Sequence, residues 1–113
     1  MARDDYFVIA YKILSYLYTC LKDGEDPDKS IIAYDSDYIN INEKYWEYII
    51  RHLYEDGYIE GVALIRMAGR QYAGVKLNHI MITPKGIEFL ENNSTMSKAR
   101  AFLKEIKEIV PGL

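Results

Sequence analysis

The chain has 113 residues, 50% of them hydrophobic and 27% charged, with a formal net charge of -3. These figures match one soluble globular domain and exclude a disordered tail, a collagen-like repeat and a two-domain enzyme. The mildly acidic balance argues against coating nucleic acid by bulk electrostatics, while leaving room for a local basic surface.

A single cysteine, Cys20, has no partner in the chain and reads as a small buried hydrophobe at a helical position. The apolar stretch Tyr6 to Leu21 raises the question of a signal peptide. Asp4 and Asp5 precede it, Lys12 interrupts it and no small-residue cleavage site follows. It is also too short and too polar to span a bilayer, so a cytoplasmic location and no membrane partner are expected.

Taken in chain order, Tyr6, Ala10, Ile13, Leu14, Leu17 and Leu21 recur at spacings of three and four, which predicts a helix from Asp4 to Lys22. Lys12, Ser15, Thr19 and Lys22 fall on the opposite side. Ile9, Tyr11, Tyr16, Tyr18 and Cys20 widen the apolar arc, so the flanks of this helix are expected to meet a neighbour, the C-terminal helix. Asp23-Gly24 and Pro27 then mark a loop. From Asp23 to Asp37 the acids Asp23, Glu25, Asp26, Asp28, Asp35 and Asp37 face Lys29 alone, a balance of -5. This reads as a solvated linker with one short helical turn from Asp35 to Ile39. Asp35 and Asp37 imitate the start of a calcium loop, but Ile39 takes the next alternate position and no Gly or terminal Glu follows in register. No metal site is expected.

Asn42 can cap a helix from Glu43 to Asp56 that ends at Gly57. Its core face is Trp46, Ile49, Ile50 and Leu53. The projected outer face carries Lys44, Tyr48, Arg51 and Glu55, flanked by Glu47 and His52. Tyr58 to Met67 is rich in aliphatic and β-branched residues and reads as a strand. Ala68 to Gly74 reads as a hairpin tip, and a returning strand runs through Val75–Leu77 and Ile80–Ile82. Thr83 as cap and Pro84 in the first helical position start another helix, with Ile87 and Leu90 inward and Phe89 at the edge. The polar run Glu91 to Thr95 breaks it. A last helix, Met96 to Val110, places Ala99, Phe102, Leu103, Ile106 and Val110 on one face.

Helix, helical turn, capped helix and two-stranded hairpin is the order of a winged helix-turn-helix, with the capped helix as recognition helix and the hairpin as wing. The expected fold is therefore α+β: one domain over 1–113, with a winged-helix core over 1–94 and a C-terminal helix over 95–113 packed on it or on a dimer partner. Two histidines, His52 and His79, one cysteine and no nucleophile motif, metal pair or phosphate loop argue against an enzyme and against a cofactor.

Charge suggests what the fold would do. Gly61 to Ile87 holds no acid, while Arg66, Arg70, Lys76 and Lys85 give +4, which suits phosphate contact through the wing, with Gln71 beside them. Asn42, Lys44, Tyr48, Arg51 and His52 would offer polar or bidentate contacts to duplex DNA from the recognition helix. Against this, Glu43, Glu47, Glu55 and Asp56 leave that helix at -2. A protein-interaction module is the competing expectation, supported by 11 tyrosines, a residue that supplies interface area at low entropic cost. A homodimer through the first and last helices is a third possibility.

Three segments carry a resemblance to a family. They are Asp56-Gly57-Tyr58-Ile59-Glu60-Gly61-Val62, the junction Ile82-Thr83-Pro84-Lys85-Gly86-Ile87-Glu88-Phe89-Leu90-Glu91-Asn92, and Ser97-Lys98-Ala99 with Lys104-Glu105-Ile106-Lys107-Glu108-Ile109. Together they resemble the YjcQ-like proteins of Gram-positive bacteria and their prophages, over nearly the whole chain. The resemblance implies a winged-helix fold and a phage-associated setting, hence a DNA-binding regulator or a module engaging a host or phage protein. It supplies no catalytic residue, ligand or operator.

Overall fold

The apolar spacing of the first segment yields helix α1 (Tyr6–Asp23), on which Ile9, Ile13, Leu14 and Leu17 are fully buried. The computed structural model describes residues 1–66, 68–69 and 74–111. The far side of α1 departs from its expected role. Lys12, Ser15 and Thr19 are 3%, 6% and 6% exposed, because the C-terminal part of the chain lies over them.

The acidic segment is held at several points, and beyond the end of α1 its helical content is the single turn expected near Asp35 to Ile39. The Ser36 hydroxyl donates to the Ile31 carbonyl at 2.7 Å and accepts from the Ile39 amide at 3.0 Å. A serine oxygen that accepts from the amide three residues on is a helix cap, and here it caps the one short helical turn expected in this segment. Asn40, at φ 48°, then turns the chain away after its amide has met the Ser36 carbonyl at 2.8 Å. Ile32 and Ile39 are buried as anchors, the indole N–H of Trp46 donates to the Ile32 carbonyl at 2.8 Å, and the Asp28 amide donates to Tyr16 Oη at 2.9 Å. The segment is thus a chain of turns stapled to the core, with its carboxylates in solvent.

Helix α2 (Glu43–Glu55) starts where Asn42 Oδ1 accepts from the Tyr45 amide at 2.8 Å, and it buries Trp46, Ile49, Ile50 and Leu53 as its spacing requires. Strands β1 (Ile59–Ile65) and β2 (Gly74–Ile82) pair antiparallel, from Ile59↔Ile82 to Ile65↔Gly74. The register jumps between Glu60↔Met81 and Val62↔Leu77, so β2 bulges opposite Gly61. The gap in the apolar pattern at Asn78-His79 is this bulge: His79 sits at φ 58° and Gly61 at φ 79°. A Cβ on Gly61 would overlap the His79 carbonyl.

Helix α3 (Pro84–Asn92) follows at once. Thr83 Oγ1 accepts from the Gly86 amide at 3.0 Å and donates to the Gly57 carbonyl at 2.5 Å, while the Thr83 amide meets the Tyr58 carbonyl at 3.1 Å. One residue therefore caps α3 and ties it to the turn after α2. Gly86 lies so close to that turn that a Cβ would overlap the Tyr58 carbonyl oxygen, which explains a glycine inside a helix. Asn93 ends α3 and caps helix α4 (Ser94–Glu105), accepting from the Thr95 and Met96 amides at 2.9 and 3.1 Å.

The last helix stops at Glu105, short of the expected Val110. Lys107 takes φ 57°, and the Lys107 and Glu108 amides close back onto the Lys104 and Leu103 carbonyls at 3.1 and 2.9 Å, a Schellman-type end. The chain then folds back: Val110 is 7% exposed and Ile109 is 77% exposed. Helix α4 packs on α1 of its own chain, where Val8, Ala99 and Leu103 form a small second cluster, while Met96 joins the main core. The whole is an α+β fold of four helices and a two-stranded sheet among the described residues, compatible with a winged helix.

Candidate nucleic-acid interface

Because α2 buries Trp46, Ile49, Ile50 and Leu53, helical geometry turns Lys44 and Tyr48 outward, and both are exposed, Tyr48 by 49%. Asn42 is exposed at the start of the helix, with its side-chain oxygen engaged as the cap. His52 is half-buried and leans on Tyr48, ring centroids 4.2 Å apart. Arg51 is half-buried, pairs with Glu55 at 2.9 Å, and carries its guanidinium 5.8 Å from the Tyr48 ring centroid. Four of the expected contact residues, Lys44, Tyr48, Arg51 and His52, thus form one continuous strip.

Glu47 changes the charge reading of this face. Its expected place was the exposed flank, yet it is 9% exposed. The acids left in solvent near α2 are Glu43 at its start, Glu55 paired with Arg51, Asp56 just beyond its end, and Asp4 and Asp5 beside Tyr45. The sequence-level balance of the helix therefore overstates the negative charge of its outer surface.

An aromatic extension from α1 joins the strip without having been expected. Tyr6 meets Tyr48 edge-on at 6.3 Å and Phe7 at 5.1 Å, and Phe7 is 38% exposed. Burial, with Asp56 adding repulsion, pushes the Tyr6 phenol up to about 12. Tyr45 donates its hydroxyl to the Asp4 carbonyl at 2.7 Å, and burial raises its pKa as well. Only the adjacent aromatics Tyr6-Phe7 at a helix start hinted at this, since their contact with α2 is tertiary.

On the hairpin, Arg66 is exposed just past β1, and Lys76 is exposed opposite Ala63. Arg70 and Gln71, expected as wing contacts, lie outside the described residues. Lys85 is committed to the fold: its ammonium donates to the Asp56 carbonyl at 2.8 Å and stands 5.5 Å from the Tyr58 ring centroid. Beside these cations the hairpin exposes apolar surface at Leu64 (39%) and Ile65 (46%).

Among the described residues, no group of three or more His, Cys, Asp or Glu side chains gathers as a metal site, and Cys20 is buried. No helix among them is long and apolar enough to cross a membrane.

An α+β fold with a solvent-facing capped helix ahead of a hairpin is the class of structure these elements define. The family model described as YjcQ protein matches residues 11–109, nearly the whole chain, and the chain belongs to that family. No curated protein and no solved structure matches it.

Proposed function

We propose that the protein is a non-enzymatic winged-helix DNA-binding protein, acting in the cytoplasm as a phage- or prophage-associated transcriptional regulator. In this reading α2 enters the major groove, with Arg51, Lys44 and Tyr48 toward base edges and His52 and Asn42 at the margins. Arg66, Arg70 and Lys76 meet phosphates from the wing, and Gln71 offers a polar contact beside them. The observation that carries it is the burial of Glu47, which leaves Lys44, Tyr48, His52 and the Arg51–Glu55 pair, and no unpaired carboxylate, in the middle of the outer strip.

The test is fluorescence anisotropy against a pool of genomic duplex DNA at about 50 and 200 mM salt, a range over which phosphate-driven affinity falls by orders of magnitude. Binding that weakens steeply with salt supports the reading. Arg70→Ala should then weaken all sequences alike, and Arg51→Ala should also relax sequence preference. No binding at micromolar protein overturns it.

A second reading is favoured by one observation: Leu64, Ile65 and Met81 of the hairpin are exposed, with Met81 at 38%. Apolar side chains on a wing suit contact with a host or phage protein better than contact with phosphates. Salt-insensitive behaviour toward DNA would favour this module.

A further inference from the structure

Strand alternation divides the far end of the hairpin into two faces. Val62 and Leu64 point to one side with their cross-strand partners Leu77 and Val75, while Ala63 and Ile65 point to the other side with Lys76. That second face presents Ile65, 46% exposed, beside exposed Ala63 and Lys76, and exposed Arg66 follows in the chain. Arg66 and Lys76 join neither of the ion pairs found among the described residues, and no acid occurs from Gly61 to Ile87. The hairpin therefore ends in an apolar and cationic surface.

A groove of the opposite charge lies where α1 ends. Gly24, at φ 71°, terminates that helix, and the chain continues through Glu25, Asp26 and Pro27. Between this stretch and β2 is a groove of about 200 Å³ whose accessible walls are Leu21, 41% exposed, and Met81, 38% exposed, with half-buried Pro27. Exposed apolar residues scattered singly are ordinary, but these come from distant segments and line one groove. Its polar lining is acidic: Glu25 and Asp26 are both exposed, and they too join neither of those ion pairs.

We propose that the hairpin of one copy of this chain docks in the α1–β2 groove of a second copy. Ile65 lies between Leu21 and Met81, and Arg66 and Lys76 meet Glu25 and Asp26. Complementarity selects this occupant: each surface is apolar at its centre, and the charges beside the two centres are opposite in sign. The two patches differ, so the contact is heterologous; it closes as a pair when reciprocal and runs on as a chain when not. Both patches are small, which places the association in the weak, transient class. The contact does not rest on the DNA reading, and its test contains no DNA.

Sedimentation velocity on the full chain at about 50 mM salt measures the self-association, and circular dichroism checks that each variant, changed only at exposed residues, keeps its fold. A dissociation constant below about 1 mM is expected, weakening severalfold at about 500 mM salt as the surface charges are screened. The hairpin variant Arg66→Glu/Lys76→Glu and the groove variant Glu25→Lys/Asp26→Lys should each weaken association at least about tenfold. The groove variant brings the chain nearer to neutrality, so net repulsion does not account for its loss. Mixing the two variants should restore association, because each supplies the complement that the other lacks. Ile65→Ser should also cost about tenfold, whereas Leu64→Ser, on the other face, should stay within about twofold. A monomer throughout, up to about 1 mM, overturns the proposal. So does a mixture no stronger than either variant alone, or an equal loss from Ile65→Ser and Leu64→Ser.

Discussion

Helices α1 and α2 each carry a polar stripe opposite a buried apolar one, yet the two stripes meet opposite fates. On α1 the stripe of Lys12, Ser15 and Thr19 is covered, while on α2 Lys44 and Tyr48 stay in solvent. The difference lies in the chain that follows: α4 and the turn after it return over α1, and α2 receives no such cover among the described residues. A covered stripe must find its partners inside. Lys12 does so with the Tyr38 carbonyl at 2.9 Å, the Tyr38 ring 5.2 Å away and the Glu108 carboxylate. Helical period reveals that two faces differ; what covers each of them is a tertiary fact.

The largest test of this contrast is Lys12→Met. Breaking a buried pair leaves a carboxylate with no counter-charge, and we expect a loss of about 3 kcal/mol in urea denaturation, toward the low end of such costs because Glu108 keeps partial access to solvent. Adding Glu108→Leu should recover most of the loss, since an apolar pair replaces the ionic one. A Lys12→Met loss below about 0.5 kcal/mol, the level of ordinary surface changes, would mean that α1's stripe is not truly covered.

Next in size is an alkaline limit that touches both helices. Burial raises the phenols of Tyr6, beside α2's strip, and Tyr38, under α1's, above the ordinary tyrosine value of 10.0. The folded state therefore holds these protons more tightly than the unfolded chain. Stability is full below pH 10 and falls as pH rises from 10 through the Tyr6 value of about 12, with Tyr38 extending the loss to higher pH. Tyrosinate absorbance followed alongside unfolding checks this, and Tyr6→Phe should remove the first part of the decline. Unfolding midpoints that do not change above pH 10 would contradict the burial of both rings.

The exposed stripe predicts the converse behaviour. Lys44→Ala should change stability by no more than about 0.5 kcal/mol, yet reduce DNA affinity and relax sequence preference, as one lost base-edge contact would. Affinity unchanged by this variant would remove Lys44 from the interface while leaving the fold reading intact.

How much of this was legible follows the same division. Spacing located α1, α2 and the hairpin, and Thr83-Pro84 located the start of α3, because caps and apolar period are local. The single helical turn near Asp35–Ile39 was legible as well, and it stays single because Ser36 caps it and Asn40, at φ 48°, ends it. The end of α4 misled because Lys107 adopts a left-handed conformation in a stretch whose apolar period runs on to Val110. For the candidate interface, Lys44 and Tyr48 could be read from the helical wheel. The burial of Glu47 and the Tyr6–Tyr48 contact depend on elements distant in sequence, and no window of residues holds them.

The smallest expected effect separates two roles that Arg51 combines. Its pair with Glu55 joins residues four apart on one helix and is open to solvent on the glutamate side, where the side chain is 49% exposed. A double-mutant cycle with Arg51→Ala and Glu55→Ala should therefore give a coupling of about 0.3–0.5 kcal/mol, the size typical of such pairs. If Arg51 serves DNA, Glu55→Ala releases it from a competing carboxylate and should tighten binding slightly while Arg51→Ala weakens it. If the pair exists only to stabilise α2, both variants lower stability by similar small amounts and neither alters binding. Opposite signs in affinity with equal signs in stability would distinguish a cation held ready for a phosphate or base from one that has already found its partner.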